Sequence, residues 1–212
     1  MRAQNHKTAL LLGATGLVGQ HLLTLLLDDP GYDRIICLVR SKPESGYATM
    51  SSAGKLQLEI VDYENLTACR SFFGASHIYV CLGTTIKKAG SEQAFRRVDY
   101  DYVLQAAQLA KAEHAQSFVW ISSVGADASS SNFYLRVKGE LEDAIANITE
   151  LHAKPVQPSL LLGERDEFRL GERMGVWLSP LLSPLMQGPL RKYRPVHVID
   201  VARQMMALQQ WD

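Results

Sequence analysis

Two serines, a tyrosine and a lysine stand in an order that suits proton transfer to an oxygen atom. Ser122 and Ser123 close the apolar run "SFVWISS" (117 to 123), and "SNFYLRVKGELED" then sets Tyr134 and Lys138 four residues apart. On a helix that spacing puts both side chains on one face. A free phenol ionises near pH 10, too high for acid/base work at neutrality, and a neighbouring ammonium stabilises the phenolate. Tyr134 is then a candidate acid/base and Lys138 the cation that tunes it. A chain with 8 tyrosines yields such a pair by chance often enough that spacing alone is weak. An aromatic and a cation sharing a solvated face is the plain alternative, and Ser-Ser is a routine way to begin a loop.

The elements that must position these residues alternate. "TALLLG" (8 to 13), "RIICLVR" (34 to 40), "LQLEIVD" (56 to 62), "HIYVCLG" (77 to 83), "SFVWISS" (117 to 123) and "VQPSLLLG" (156 to 163) have the near-continuous apolar character of parallel strands buried on both faces. Helices are expected over 17 to 28, 65 to 73, 92 to 113 and 133 to 149. "PVHVID" (195 to 200) offers a short seventh strand, with Asp200 capping a last helix that runs to Trp211. The alternation predicts an α/β fold, a doubly wound parallel sheet of six to seven strands with helices on both faces. At 212 residues, one domain covering 1–212 is expected. The polar stretches 41 to 55 and 125 to 132 follow strands, on the side where such sheets bind ligands.

In "TALLLGATGLVGQHLLTLLL" the first strand runs through Gly13, Gly16 and Gly19 straight into the first helix. Glycines there allow a tight turn and bring backbone N–H groups and a helix N-terminus up to a pyrophosphate. The spacing is GxxGxxG, not the GxGxxG of common dehydrogenases. At the end of the second strand, where an acidic residue would take the ribose hydroxyl of NAD, stands Arg40, which suits a 2′-phosphate. NADP(H) is therefore preferred, with NAD(H) as the alternative. An arginine after a strand is also a commonplace solvated residue.

The glycine pattern resembles the extended and atypical branches of the short-chain dehydrogenase/reductase superfamily. From "GATGLVG" through "LVRS", "CLGTT", "ISSVGAD", "YLRVKGELE" and "PSLLLGERDE" to "PVHVIDVA", nearly the whole chain is similar to the Tat-interacting oxidoreductase family. That resemblance implies an NADP-binding Rossmann fold with catalytic Ser123, Tyr134 and Lys138, Ser122 being the fallback serine. It further implies cofactor contacts from Gly13, Thr15, Gly16, Leu17, Val18, Gly19, Arg40, Asp62, Tyr63, Leu82, Gly83, Thr84, Tyr134, Lys138, Pro158 and Leu161. Asp62 matches the position that bonds the adenine amino group, although it equally suits a helix cap. Two departures stand out. Asp99 occupies the place of the proton-relay asparagine, and Gln157 precedes Pro158 where arginine is frequent.

Composition excludes several classes. The 22 basic and 22 acidic residues cancel, leaving no broad field for nucleic acid. Cys37, Cys69 and Cys81 lack metal-ligand spacing and read as reduced thiols, so no metal is expected. The N-terminus shows no secretory signal pattern, which favours a cytoplasmic location. Pro180, Pro184 and Pro189 interrupt the apolar 174 to 190, so no membrane span is expected there. Residues 163–195 are expected to form a substrate lid or an interface, with Arg165, Arg169 and Arg173 as candidate anion contacts or a solvated helix face. The expected function is reduction of a small carbonyl, or oxidation of an alcohol, with NADP(H). A cofactor sensor acting through a protein partner is the rival. Epimerase chemistry on a nucleotide-sugar is disfavoured by the short stretch after the sixth strand. A homodimer is compatible with all three.

Overall fold

Six parallel strands pair in the order β3-β2-β1-β4-β5-β6 in the computed structural model, which describes residues 7–43, 54–162 and 194–209. The strands are β1 (Lys7–Leu12), β2 (Tyr32–Val39), β3 (Leu56–Ile60), β4 (His77–Val80), β5 (Ser117–Ile121) and β6 (Ala153–Val156). The helices are α1 (Leu17–Asp28), α2 (Ile86–Ala89), α3 (Glu92–Arg96), α4 (Tyr102–Ala112), α5 (Phe133–Ala146) and α6 (Val198–Ala207). The order reverses between β1 and β4, and in doubly wound sheets ligands bind in the crevice beyond the strand ends at that switch point.

Side-chain alternation along β1 explains why the strands read as unbroken apolar runs. Ala9 and Leu11 face α1 and α6, packing with Leu22, Leu26, Val201 and Met205. Leu10 and Leu12 face the opposite layer, with Val103, Ala106 and Ala110 of α4 and Leu141 and Ile145 of α5. Helices therefore cover both faces, as expected from the sequence.

Several boundaries differ from expectation for identifiable reasons. The sixth strand is Ala153–Val156, not 156 to 163; as an edge strand it tolerates Pro155, whose missing N–H costs no ladder bond on the open side. Downstream, β7 (Leu161–Leu162) pairs with β8 (Val196–His197) in a separate two-stranded sheet, so "PVHVID" adds no seventh strand to the main one. His197 occupies the cap of α6 and Asp200 lies in its first turn, ion-paired with Arg203 at 3.1 Å, so Asp200 is not the cap. Residues Tyr63–Gly74 are 3-10 turns, broken by non-helical Asn65 and Cys69. The helix expected over 92 to 113 is interrupted by a π-turn, Arg97–Asp101. Cys37 is buried while Cys69 and Cys81 are half-buried, all three reduced. Arg165, Arg169, Arg173, the apolar 174 to 190 and Trp211 lie outside the described residues. Among those described, no helix is long and apolar enough to cross a membrane.

Candidate functional site

The glycine turn leaves β1 and touches the end of β4. Gly13 adopts φ +84, and a Cβ on it would lie 2.6 Å from the Cys81 carbonyl carbon. A side chain is excluded twice over, by conformation and by contact. A Cβ on Gly19 would lie 2.1 Å from the Gly13 carbonyl oxygen, so Gly19 lets α1 sit directly under the turn. Gly16 has more room, its Cβ meeting the Gly13 oxygen at 3.3 Å. Gly16 also occupies the α1 N-cap without any side-chain cap, and the first turn carries no acidic residue. A bare, positively polarised helix end beside a closely approached backbone is the cradle a pyrophosphate requires. The nucleotide expected from the sequence fits these residues.

Around that cradle the predicted contact residues divide by exposure. Thr15 is exposed and Leu17 half-buried, whereas the Val18 side chain packs in the core, leaving its backbone at the helix end. Arg40 is exposed just past β2. Tyr63 is buried; its hydroxyl donates to the Leu38 carbonyl at 2.8 Å and accepts from the Gly13 N–H, and burial pushes its ionisation well above the ordinary range. Tyr63 thus braces the turn from behind. Asp62 caps the 3-10 turns by accepting from the Glu64 N–H at 2.9 Å, the capping role the sequence left open. Leu82, Gly83 and Thr84 follow β4 opposite the glycine turn; Pro158 and Leu161 are half-buried beyond β6.

On the other side of the switch point, α5 carries Tyr134 and Lys138. Asn132 caps it, accepting from the Leu135 N–H at 3.1 Å. Its packing is unusually close at Gly139, where a Cβ would lie 2.2 Å from the backbone of Asp127 and Ala128. That glycine draws the helix against the 125 to 130 loop and so fixes the depth of its neighbour Lys138. Two residues of the α3 and π-turn segment meet the pair in step. Phe95 packs on the Tyr134 ring, with centroids 5.7 Å apart, and Asp99 holds the Lys138 ammonium, Oδ1 to Nζ 2.8 Å. Asp99 and Lys138 are nearly excluded from solvent, 1% and 2% exposed. The second Asp99 oxygen accepts the Thr84 N–H at 2.8 Å. One carboxylate thereby joins the loop after β4 to the helix bearing Tyr134. Lys138 also reaches the Ile121 carbonyl at 3.4 Å.

The two serines separate. Ser122, 2% exposed, donates to the Glu142 carboxylate, which also accepts from the Gln157 amide at 2.9 Å through each of its oxygens. The single Gln157 amide nitrogen thus straddles both Glu142 oxygens, where an arginine could bring two nitrogens and a charge. Ser123 makes only a long contact with the Val124 carbonyl, 3.3 Å. The sequence reading missed Glu142 and Gly139. An acid four residues beyond Lys138 and a glycine inside a helix were the available signals.

Strand order, glycine cradle and uncapped helix end together define a dinucleotide-binding Rossmann domain. The NAD(P)H-binding family model matches residues 13–161. The chain belongs to that NAD(P)H-binding family, alongside relatives such as Protein HTATIP2 of Rattus norvegicus, 35% identical over 95% of this chain and 80% of that protein. Protein FMP52, mitochondrial, of Candida albicans is 36% identical over 82% of this chain and 80% of its own. Among solved structures, MoeE5 in complex with UDP-glucose and NAD matches with a TM-score of 0.68 at 16% identity, covering 96% of this chain and 72% of its own. The ADP-L-glycero-D-manno-heptose-6-epimerase of Helicobacter pylori matches at 0.71 and 12%, covering 97% and 74%. At such identities these two establish the fold alone. The cytoplasmic location expected from the sequence is overturned, because several relatives carry a mitochondrial designation in their names. The reasoning behind it excluded only a secretory signal, which says nothing against the mitochondrion.

Proposed function

We propose that the chain is an NADP(H)-dependent oxidoreductase of short-chain dehydrogenase type that interconverts a small carbonyl compound and its alcohol. The observation that carries this reading is Lys138, buried and held in place four residues after Tyr134, on a helix tied through Asp99 to the loop after β4. A buried ammonium is costly, and a site that retains one four residues from a tyrosine is built to hold charge near a phenol.

In this reading the N–H groups from Gly16 to Gly19 and the helix end hold the pyrophosphate, with Gly13 keeping the approach open. Arg40 pairs with the 2′-phosphate, and Leu82 to Thr84 line the cofactor beyond β4. The nicotinamide, when bound, supplies or accepts the hydride. Tyr134 gives its proton to the carbonyl oxygen as charge builds there, or takes it from the alcohol in the reverse direction. Ser123 donates a hydrogen bond to the same oxygen and orients it. Support for choosing Ser123 comes from Ser122, whose hydroxyl is already committed to Glu142. Lys138 favours the phenolate and bonds the cofactor ribose.

The test is turnover with NADPH across aldehydes, ketones and quinones, for the wild type and Tyr134→Phe. The variant is expected to keep cofactor affinity and lose at least about a hundredfold in rate, the lower range for a general acid. Retained activity removes Tyr134 as the acid. Tight NADPH binding with no turnover on any class replaces the enzyme by a cofactor sensor.

A further inference from the structure

Tyr134, Lys138 and Glu142 follow one another at intervals of four on α5, and the third has a task that the proposed chemistry does not use. Glu142 is half-buried, and each donor to its carboxylate is neutral. One is the Ser122 hydroxyl at the end of β5; the other is the Gln157 amide just past β6, whose nitrogen lies 2.9 Å from both oxygens. The donors come from two chain segments and the acceptor from a third, so one side chain closes a three-way clasp. It sits where the sheet stops holding its own strands together. The register of β5 with β6 ends at Ile121 and Val156. Beyond it the Ser122 N–H still reaches the Val156 carbonyl at 2.7 Å, and the Val124 N–H the Pro158 carbonyl at 3.0 Å. Ser123 lies between those two bonds. Chain ends of a sheet open more readily than its centre, and side-chain bonds from both branches to one helix oppose that opening.

We infer that Glu142 is a positioning residue of the substrate site. By holding Ser122 and Gln157 at once, it fixes the separation of the two strand ends and their distance from α5. Ser123 and Pro158, the immediate neighbours of the clasped residues, are thereby set relative to the helix that bears Tyr134. The place of this clasp in catalysis rests on the reading of Ser123 and Tyr134 as the groups that meet the carbonyl oxygen; the clasp itself does not. Gln157 is the point at which to open it, because its side chain is exposed and a substitution there leaves the core intact. Gln157→Glu sets two carboxylates against each other. Adding Glu142→Gln swaps the partners: the amide nitrogen then comes from α5 and the carboxylate from position 157. The amide oxygen at 142 still accepts from Ser122, so every donor keeps an acceptor.

The experiment compares wild type, Gln157→Glu and the swapped pair, each as the full chain, by two readouts. The first is turnover of whichever carbonyl compound the wild type reduces with NADPH. Gln157→Glu is expected to lower kcat/KM for the carbonyl about tenfold while NADPH affinity stays within about twofold, and the swapped pair to recover most of that loss. The second is backbone hydrogen exchange: the Ser122 and Val124 N–H groups should exchange faster in Gln157→Glu and regain their protection in the swapped pair. Wild-type kinetics in Gln157→Glu overturn the positioning role, whatever the exchange rates. A loss that persists in the swapped pair also overturns it, since a charge at 157 would then act by itself. Failure of the enzyme reading shows separately, as a wild type that turns over no carbonyl compound. The exchange rates then decide alone whether Glu142 fixes the strand ends, and equal rates in wild type and Gln157→Glu overturn that.

Discussion

Replacing Gly139 by alanine probes the contact that sets the depth of Lys138. The added Cβ would stand 2.2 Å from the Asp127 carbonyl carbon and the Ala128 nitrogen, and 2.5 Å from the Asp127 nitrogen. All three are backbone atoms, so no side chain can swing aside. Ordinary contact between such atoms begins near 3.5 Å, so α5 and the loop must part by roughly an ångström. Two observed interactions lie in the path of that movement: the Asp127 N–H bond to the Leu135 carbonyl at 3.1 Å and the Lys138 to Asp99 pair at 2.8 Å. Overpacking costs about 1 to 3 kcal/mol, and partial loss of a buried ion pair adds to it. A destabilisation of about 2 to 4 kcal/mol is expected, read as a lowered urea midpoint with an unchanged denaturant slope. The natural control is Gly90→Ala, where φ is +85 but no atom lies within 4 Å of the new Cβ; it should cost about 1 kcal/mol from backbone strain alone. If Gly139→Ala unfolds at the wild-type midpoint, or costs no more than Gly90→Ala, the close approach is not what positions this helix.

Arg40→Asp should narrow or reverse the preference for NADPH over NADH in calorimetric titrations, because the aspartate repels a 2′-phosphate and accepts a ribose hydroxyl; equal affinities in the wild type would remove Arg40 from cofactor choice. Alkaline pH should destabilise the fold in a definite window. Burial holds the Cys37 thiol protonated up to about 12, and it raises the Tyr32, Tyr63 and Tyr79 hydroxyls as well. The native state therefore retains protons that the unfolded chain releases from about pH 9 upward, so stability is full below that pH and falls as pH climbs toward 12. Urea midpoints at several pH values check the sign, and a midpoint flat from about pH 8 to 11 would contradict it.

How much of this was legible in the sequence follows from what each signal reports. The doubly wound sheet was readable because both faces of its strands are buried, as the split of Leu10 and Leu11 between two cores shows. Gly13 and Gly19 were readable because only backbone contact demands a glycine there. The 3-10 turns of 63 to 74 and the π-turn at 97 to 101 were not, since apolar residues recur at three or four in all such helices and tertiary contacts choose among them. The strand misplaced to 156 to 163 failed for a related reason: an apolar run says that residues are buried, not which neighbour they pair with.

Asp99 is where sequence and structure inform each other most. As a sequence feature it reads as a gap, an acid in place of a relay asparagine. In the fold the same residue sits on a buried helical stripe, and nothing exposed would need a carboxylate there. Its cost is tolerable only because both oxygens find donors, one from the helix that carries Tyr134 and one from the loop that borders the cofactor cradle. A substitution that looked like the loss of one function thus has the geometry of another. A carboxylate suits the junction because both of its oxygens accept, whereas an amide would offer only one acceptor to the Lys138 ammonium and the Thr84 N–H.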